Sequence, residues 1–293
     1  MMSKKRTLIQ LLSASLIVLF LLMGCQHLSI KDASVESNRG GIYLVGMGPG
    51  DADLATLRAM EVIKQADLVI CSSTMRQKFA GELKEKKVFE TSGWFWRFYG
   101  KDCSELKEEE RSRCEEITRN RNELIARVRQ EIKAGKCLAI LDSGDPLIYG
   151  PWSWSLEEFQ DLDPVVVPGV SCFNAAHAAL KKDVTWSDTV KSTILTANDW
   201  PGTRDSIESL AGNQVTMVIF MMGIELKDLI VKLSTHYSPH TPIAIICDAG
   251  YKEKEHVIKG TLGTILDKTR NKKLPFQHLV YVGENLNFKW KNE

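Results

Sequence analysis

Tyr43-Leu44-Val45-Gly46-Met47-Gly48-Pro49-Gly50-Asp51 joins a short apolar run to a stretch with helical spacing. A strand that ends in a glycine-rich turn first suggests a dinucleotide fingerprint. That reading fails, because Asp51 stands where GxGxxG has its third glycine. A carboxylate at a helix N-terminus competes with a pyrophosphate for the same backbone donors, and Pro49 removes one of those donors. No GxxxxGK[ST] occurs in the chain, so a P-loop has no support either. What remains is a turn in which Gly48 and Gly50 permit close backbone approach and Pro49 stiffens the loop. Asp51 is then placed to cap the helix predicted over residues 54–66.

Downstream of this turn, β-branched runs alternate with amphipathic stretches, the pattern of βα units. Strands are expected at residues 42–45, 68–71, 88–90, 138–141 and 165–167, then at 193–196, 215–221, 243–247, 257–259 and 279–282. Helices are expected at 54–66, 104–134, 172–180, 226–235 and 262–269. Leu54, Leu57, Val62 and Ile63 give the first helix one apolar face. The stretch 101–133 is far more charged, with Glu108, Glu109, Glu110, Arg111 and Arg113 almost unbroken, and reads as a solvated helical face. Charge around residues 181–187 separates an N-terminal α/β domain at 41–183 from a C-terminal one at 187–293. Each is expected to be a mostly parallel sheet flanked by helices. A chain of 293 residues with 44% apolar side chains is large enough for both cores. A formal net charge of +1 leaves no basic field to drive nucleic-acid binding.

The N-terminus does not belong to this pattern. Lys4, Lys5 and Arg6 precede an apolar run over residues 8–23, followed by Leu22-Met23-Gly24-Cys25. This order is that of a secretory signal with a cysteine at the cut. It resembles a bacterial lipobox, which implies lipidation at Cys25, a membrane tether and an extracytoplasmic location. An uncleaved anchor is the alternative, although about 16 residues is short for a span. Residues 26–40 are polar and read as a flexible spacer.

Beyond Cys25, the cysteines at 71, 103, 114, 137, 172 and 247 show no CxxC or CxxH spacing, so no zinc-type site is supported. His177 and the other scattered histidines suggest no axial ligand, and no metal is expected. Cys71, Cys137 and Cys247 lie in strand-like apolar runs and read as buried thiols. Cys103 and Cys114 lie in the charged segment, where the sequence permits a disulfide in an oxidising compartment without settling it.

Two further turns punctuate strand ends. Asp142-Ser143-Gly144-Asp145-Pro146 follows the fourth predicted strand, and Pro168-Gly169-Val170-Ser171-Cys172 follows the fifth. In an open parallel sheet, loops at the carboxyl ends of strands converge on one crevice. With Gly144-Asp145-Pro146-Leu147-Ile148-Tyr149-Gly150, Met221-Met222-Gly223, Asp248-Ala249-Gly250 and Gly260-Thr261-Leu262 in the same order, the chain resembles the tetrapyrrole methylases over roughly residues 41–284.

That resemblance implies two α/β domains with S-adenosyl-L-methionine in the cleft between them. By motif, its contacts would be Pro49, Ser143, Gly144, Asp145, Ile148, Ser171, Cys172, Met222 and Gly250, with Asp145 the polar anchor. The implied activity is C-methylation of a corrin precursor or porphyrinoid, in which the protein mainly positions two partners and manages a proton. Family members are often dimers, so a homodimer is among the implied assemblies.

The chain also departs from the pattern. Uroporphyrinogen-type members carry an aspartate after the second strand, where Ser72 stands here, and a lysine in the next segment, near Ser92 here. The catalytic residue is therefore unassigned, with Asp51 and Ser72 as candidates. Gly93-Trp94-Phe95-Trp96-Arg97-Phe98-Tyr99 is an aromatic cluster with one guanidinium. Trp94, Trp96 and Tyr149 are expected to stack on a flat macrocycle and Arg97 to pair with a propionate; a packed lid is the alternative. Two function classes follow: a tetrapyrrole methyltransferase, or a membrane-anchored, catalytically inactive lipoprotein that binds a tetrapyrrole in the same cleft.

Overall fold

A computed structural model describes residues 40–287 apart from Gly93, Trp186 and Met222, so Cys25 and the signal-like segment lie outside the described residues. Gly40–Glu293 forms one contact unit containing two sheets. The first holds β1 (Ile42–Gly46), β2 (Leu68–Cys71), β3 (Lys87–Glu90), β4 (Leu138–Asp142) and β5 (Val165–Val167) in the order β3-β2-β4-β1-β5. All its pairings are parallel. Its helices are α1 (Leu57–Gln65), α2 (Ser73–Lys78), α3 (Glu108–Lys133), α4 (Trp154–Glu158) and α5 (Cys172–Leu180).

Alternation along each strand sends side chains to two covered faces. Val45, Val69 and Leu141 meet Ala59, Val62 and Ile63 of α1. On the other face Leu44, Ile70 and Ile140 meet Leu124 and Val128 of α3 together with Trp152, Trp154 and Phe159. Each fully buried Leu, Ile or Val contributes roughly 1.5–3 kcal/mol of transfer free energy, which is why these strands read as almost continuous apolar runs.

Helix α3 is less simply solvated than its charge suggests. Glu131, near its C-terminus, accepts from Lys87 on β3 (2.9 Å) and Lys136 (2.5 Å) and pairs with Arg127 (2.7 Å). Hydrogen bonds from the two lysines hold the Glu131 carboxyl down at about 2. Arg121 is buried and donates to the carbonyls of Phe95 (2.8 Å) and Arg97 (3.2 Å). A Cys103–Cys114 disulfide, with Cα atoms 5.6 Å apart, ties the segment ahead of α3 to the helix.

The second sheet holds β6 (Thr193–Ala197), β7 (Thr216–Phe220), β8 (Pro242–Cys247), β9 (His256–Thr261) and β10 (His278–Val282) in the order β6-β7-β10-β8-β9. Here the α/β layering holds but the pairing is mixed rather than mostly parallel. Strands β6 and β7 run parallel, whereas β10 is antiparallel to β7 and β8, and β8 to β9. Residues 248–255, which join β8 to β9, are too few for the crossover of a dozen or more residues that parallel neighbours need.

Helices α6 (Ile207–Ala211), α7 (Leu226–Leu233) and α8 (Ile265–Thr269) cover one face of this sheet. The other face, with Val218, Phe220, Ala244, Ile246 and Tyr281, is covered by α5 of the first half and by Ile148 and Tyr149. Tyr281 donates its hydroxyl to the Phe173 carbonyl (3.0 Å), and the two rings stack with centroids 6.4 Å apart. The halves thus share one core cluster, and the loops after β1, β4 and β5 lie where the two sheets meet.

One contact across this junction is backbone on backbone. Gly50 has φ +61°, and a Cβ there would lie 2.1 Å from the Gly250 carbonyl carbon. Gly202 also has positive φ, +85°, but faces open space. Gly202→Ala is expected to cost about 1–2 kcal/mol of left-handed strain alone. Gly50→Ala should lower the thermal midpoint by clearly more, because the backbone of Gly250 must retreat; equal shifts in thermal unfolding would contradict the wedge.

Candidate functional site

Three strand-end turns are knitted into one floor by their main chains. Met47 N donates to Asp142 O (2.9 Å), and Gly48 and Gly144 exchange hydrogen bonds of 3.3 and 3.1 Å. The third turn is wedged in without side chains: a Cβ on Gly169 would lie 2.0 Å from Gly144 O and 2.8 Å from Gly46 C. Glycine at Gly169 is therefore a requirement of contact between three loops.

The Asp51 carboxylate does not cap the following helix. Thr56 does so, its Oγ1 accepting from Ala59 N (3.1 Å). Asp51 instead reaches the second half of the chain: its N–H donates to Gly250 O (3.0 Å), and its Oδ2 accepts from Lys252 N (3.0 Å). Lys252 also forms an ion pair with Asp53. The turn resembling a phosphate loop is thus a strut to the 248–252 loop, while Thr56 serves the free N–H groups of α1. Ser72, the other catalytic candidate, is the N-cap of α2, with its Oγ accepting from Met75 N (3.2 Å). Neither residue is hydrogen-bonded to an imidazole or a second carboxylate among the described residues.

The motif positions expected to hold the cofactor fall into two groups. Pro49 and Gly144 are buried, and Ser143 is exposed beside them. Asp145 turns its loop by accepting from Leu147 N (2.8 Å) with Oδ1, leaving Oδ2 without a partner among the described residues. Ile148 packs on the shared core. Ser171 caps α5 in a reciprocal box with Asn174, its Oγ accepting from Phe173 N (3.2 Å) and its N–H donating to Asn174 Oδ1 (3.2 Å). Burial pushes the Cys172 thiol up, so it acts as a neutral packing group. Gly250 donates its N–H to Glu255 (2.8 Å). Met222 lies outside the described residues, next to the buried Met221.

The residues expected to take a substrate are not all together. Trp94 and Trp96 sit side by side, ring centroids 6.2 Å apart, after the edge strand β3. Arg97 is engaged by the Phe98 ring (4.9 Å) and by Glu110 (3.3 Å). Phe95 between them is buried against Trp152 and Trp154. Tyr149 belongs elsewhere, in the junction of the halves, with its ring 4.7 Å from Phe220 and 6.3 Å from Trp200.

Asp142 was not singled out by the sequence, although a carboxylate ending the apolar run Leu138-Ala139-Ile140-Leu141 was a legible signal. It is 1% exposed. Its Oδ1 accepts from Ser143 N (2.7 Å) and its Oδ2 from Trp152 N (3.2 Å), so one side chain clamps both ends of the loop 143–152. Burial, reinforced by the Asp145 charge and opposed by these two donors, pushes the carboxyl up to about 7.

An unfolded aspartate titrates near 3.9, so folded Asp142 holds its proton through an interval in which the unfolded chain has lost it. The stability it contributes is fullest at low pH and declines as pH rises toward about 7. Unfolding free energies at pH 5, 6 and 7 should therefore fall in the wild type relative to Asp142→Asn by roughly 1 kcal/mol per unit. Parallel profiles would refute the assignment.

A family model described as Tetrapyrrole (Corrin/Porphyrin) Methylases matches residues 41–266. The cobalt-precorrin-4 C(11)-methyltransferase of Methanocaldococcus jannaschii is 30% identical over 263 residues, covering 87% of this chain and 92% of that protein. A solved cobalt precorrin-4 methyltransferase, described as a cobalamin biosynthetic enzyme, superposes with a TM-score of 0.66 at 21% identity, over 84% of this chain and 95% of its own. The uroporphyrin-III C-methyl transferase of Thermus thermophilus, solved with S-adenosyl homocysteine, gives 0.59 at 20% identity, over 85% and 99%. At those identities the two structures speak for the fold alone. With the family model spanning most of the chain and its motif turns joined in one floor, the chain belongs to the tetrapyrrole methylases.

Proposed function

We propose that this protein is an S-adenosyl-L-methionine-dependent C-methyltransferase acting on a tetrapyrrole, a corrin precursor or porphyrinoid, and that it is tethered to the membrane through Cys25. The observation that carries the catalytic part is the joined floor of three loops with the open carboxylate oxygen of Asp145 at its rim. The residues suit such a cofactor. Asp145 can accept from an ammonium or ribose hydroxyl, and Ile148 offers apolar contact. Bound there, S-adenosyl-L-methionine would supply a methyl group on a sulfonium, open to in-line attack by an electron-rich ring carbon.

The chain's own part is positioning. Asp142 holds the loop that carries Asp145 and Ile148 at both ends, and the Asp51 strut holds the first turn against the second half. Alignment of two bound partners supplies most of what this chemistry asks of a protein. Ser72, committed as a helix cap, favours the second reading, a tetrapyrrole-binding lipoprotein without catalysis.

The tether rests on Lys4, Lys5, Arg6, the apolar run and Leu22-Met23-Gly24-Cys25. The Cys103–Cys114 disulfide supports an extracytoplasmic location, since such bonds persist in oxidising compartments.

Calorimetric titration of the detergent-solubilised full chain with S-adenosyl-L-methionine is expected to show binding that Asp145→Asn weakens about tenfold or more, the loss of a charged hydrogen bond. No binding at millimolar cofactor would overturn the enzyme reading. Binding without methyl transfer to uroporphyrinogen III or a corrin precursor would shift the conclusion to the second. Metabolic palmitate labelling should mark the wild type and not Cys25→Ala; absence of label from both would remove the tether.

A further inference from the structure

The loop after β6 carries a tryptophan beside Tyr149. Trp200 is 51% exposed, yet the loop that bears it is held at both ends. Asp199 accepts from Ile207 N (2.7 Å) and pairs with Lys232 on α7 (2.6 Å). Thr203 closes the turn on Trp200 O with both its N–H (3.2 Å) and its hydroxyl (2.9 Å). A solvent loop with no task has no reason to hold a large apolar ring half in water with so many polar clamps.

The partner of Trp200 is Tyr149, from the other half of the chain. Tyr149 has φ +57°, the left-handed region, which is a strained conformation for a bulky side chain. That backbone turns its ring against Phe220 and toward Trp200, at centroid distances of 4.7 and 6.3 Å. The result is an aromatic wall built from two halves of the molecule.

The wall begins where the cofactor loop ends: Asp145, Ile148 and Tyr149 lie on one loop clamped by Asp142. Methyl transfer requires donor and acceptor atoms about 3–3.5 Å apart, so the acceptor must lie along this loop. Resting on the reading of the site as a tetrapyrrole methylase cleft, we infer that Trp200, with Tyr149 behind it, is the stacking platform for the substrate ring. Exposed Arg204, which makes no ion pair among the described residues, follows Trp200 in the same turn and offers a cation to a ring carboxylate, with Asp205 next to it.

Full-chain protein titrated with uroporphyrin III, followed by quenching of tryptophan fluorescence, tests the assignment. Trp200→Ala is expected to raise the dissociation constant about tenfold, Trp200→Phe to stay within about threefold, and both to keep wild-type affinity for S-adenosyl-L-methionine and wild-type thermal midpoints. Equal uroporphyrin affinity in wild type and Trp200→Ala would overturn the platform while leaving the function standing. A parallel loss of cofactor affinity would overturn it as well, by showing a general disturbance of the cleft. If the wild type binds uroporphyrin III not at all and methylates no tetrapyrrole, the functional reading itself fails and the platform with it.

Discussion

The contact of Gly46, Gly144 and Gly169 is the constraint on which the rest of the site depends. A side chain on Gly46 or Gly169 would separate the loops after β1, β4 and β5, since its Cβ would fall within 2.5 Å of backbone in a neighbouring turn. With no side chains between them, the Gly48 and Gly144 main chains can pair directly. The parallel sheet brings the strand ends side by side, and the glycines convert that adjacency into a single rigid surface. Gly50 against Gly250 extends the same principle to the second half of the chain.

Around this floor, polar side chains serve geometry more than proton transfer. Asp51 holds the two halves together, Ser72 and Ser171 cap helices, and Asp142 closes the loop that carries Asp145. The cost of burying Asp142 appears as its raised affinity for a proton, and the left-handed backbone of Tyr149 is a second local cost. Asp142 ends β4 and Tyr149 lies on the loop that follows, packed against the apolar cluster that joins α5 to the second sheet. Both local costs are concentrated in the stretch from Asp142 to Tyr149, beside the aromatic contact of Tyr149 with Trp200.

Much of this was legible before any coordinates. All ten expected strands formed within about two residues of their expected limits, because runs such as Leu68-Val69-Ile70-Cys71 are short, β-branched and apolar, which together favour a buried strand over a helix. The short helices α2, α4 and α6 escaped notice, since five or six residues do not complete two turns of a 3.6-residue period. The expected substrate-facing group divides, with exposed Trp94 and Trp96 beyond the edge strand β3 and Tyr149 in the junction of the halves. Composition of a segment does not say which way its side chains turn. Trp200 gave only the faint signal of a tryptophan in an Asp-Trp-Pro-Gly turn.

The sequence alone determined the parallel first sheet, the order of the motif turns and the exclusion of phosphate-loop chemistry. Those follow from local residue types and spacing, which act on the chain within a few residues. Tertiary structure decided the mixed pairing of the second sheet, the partner of Asp51 two hundred residues away, the burial of Asp142 and the meeting of Tyr149 with Trp200. Each of these depends on which distant segments come within a few ångströms, and that is set by how the two sheets share one core, a property no local pattern encodes.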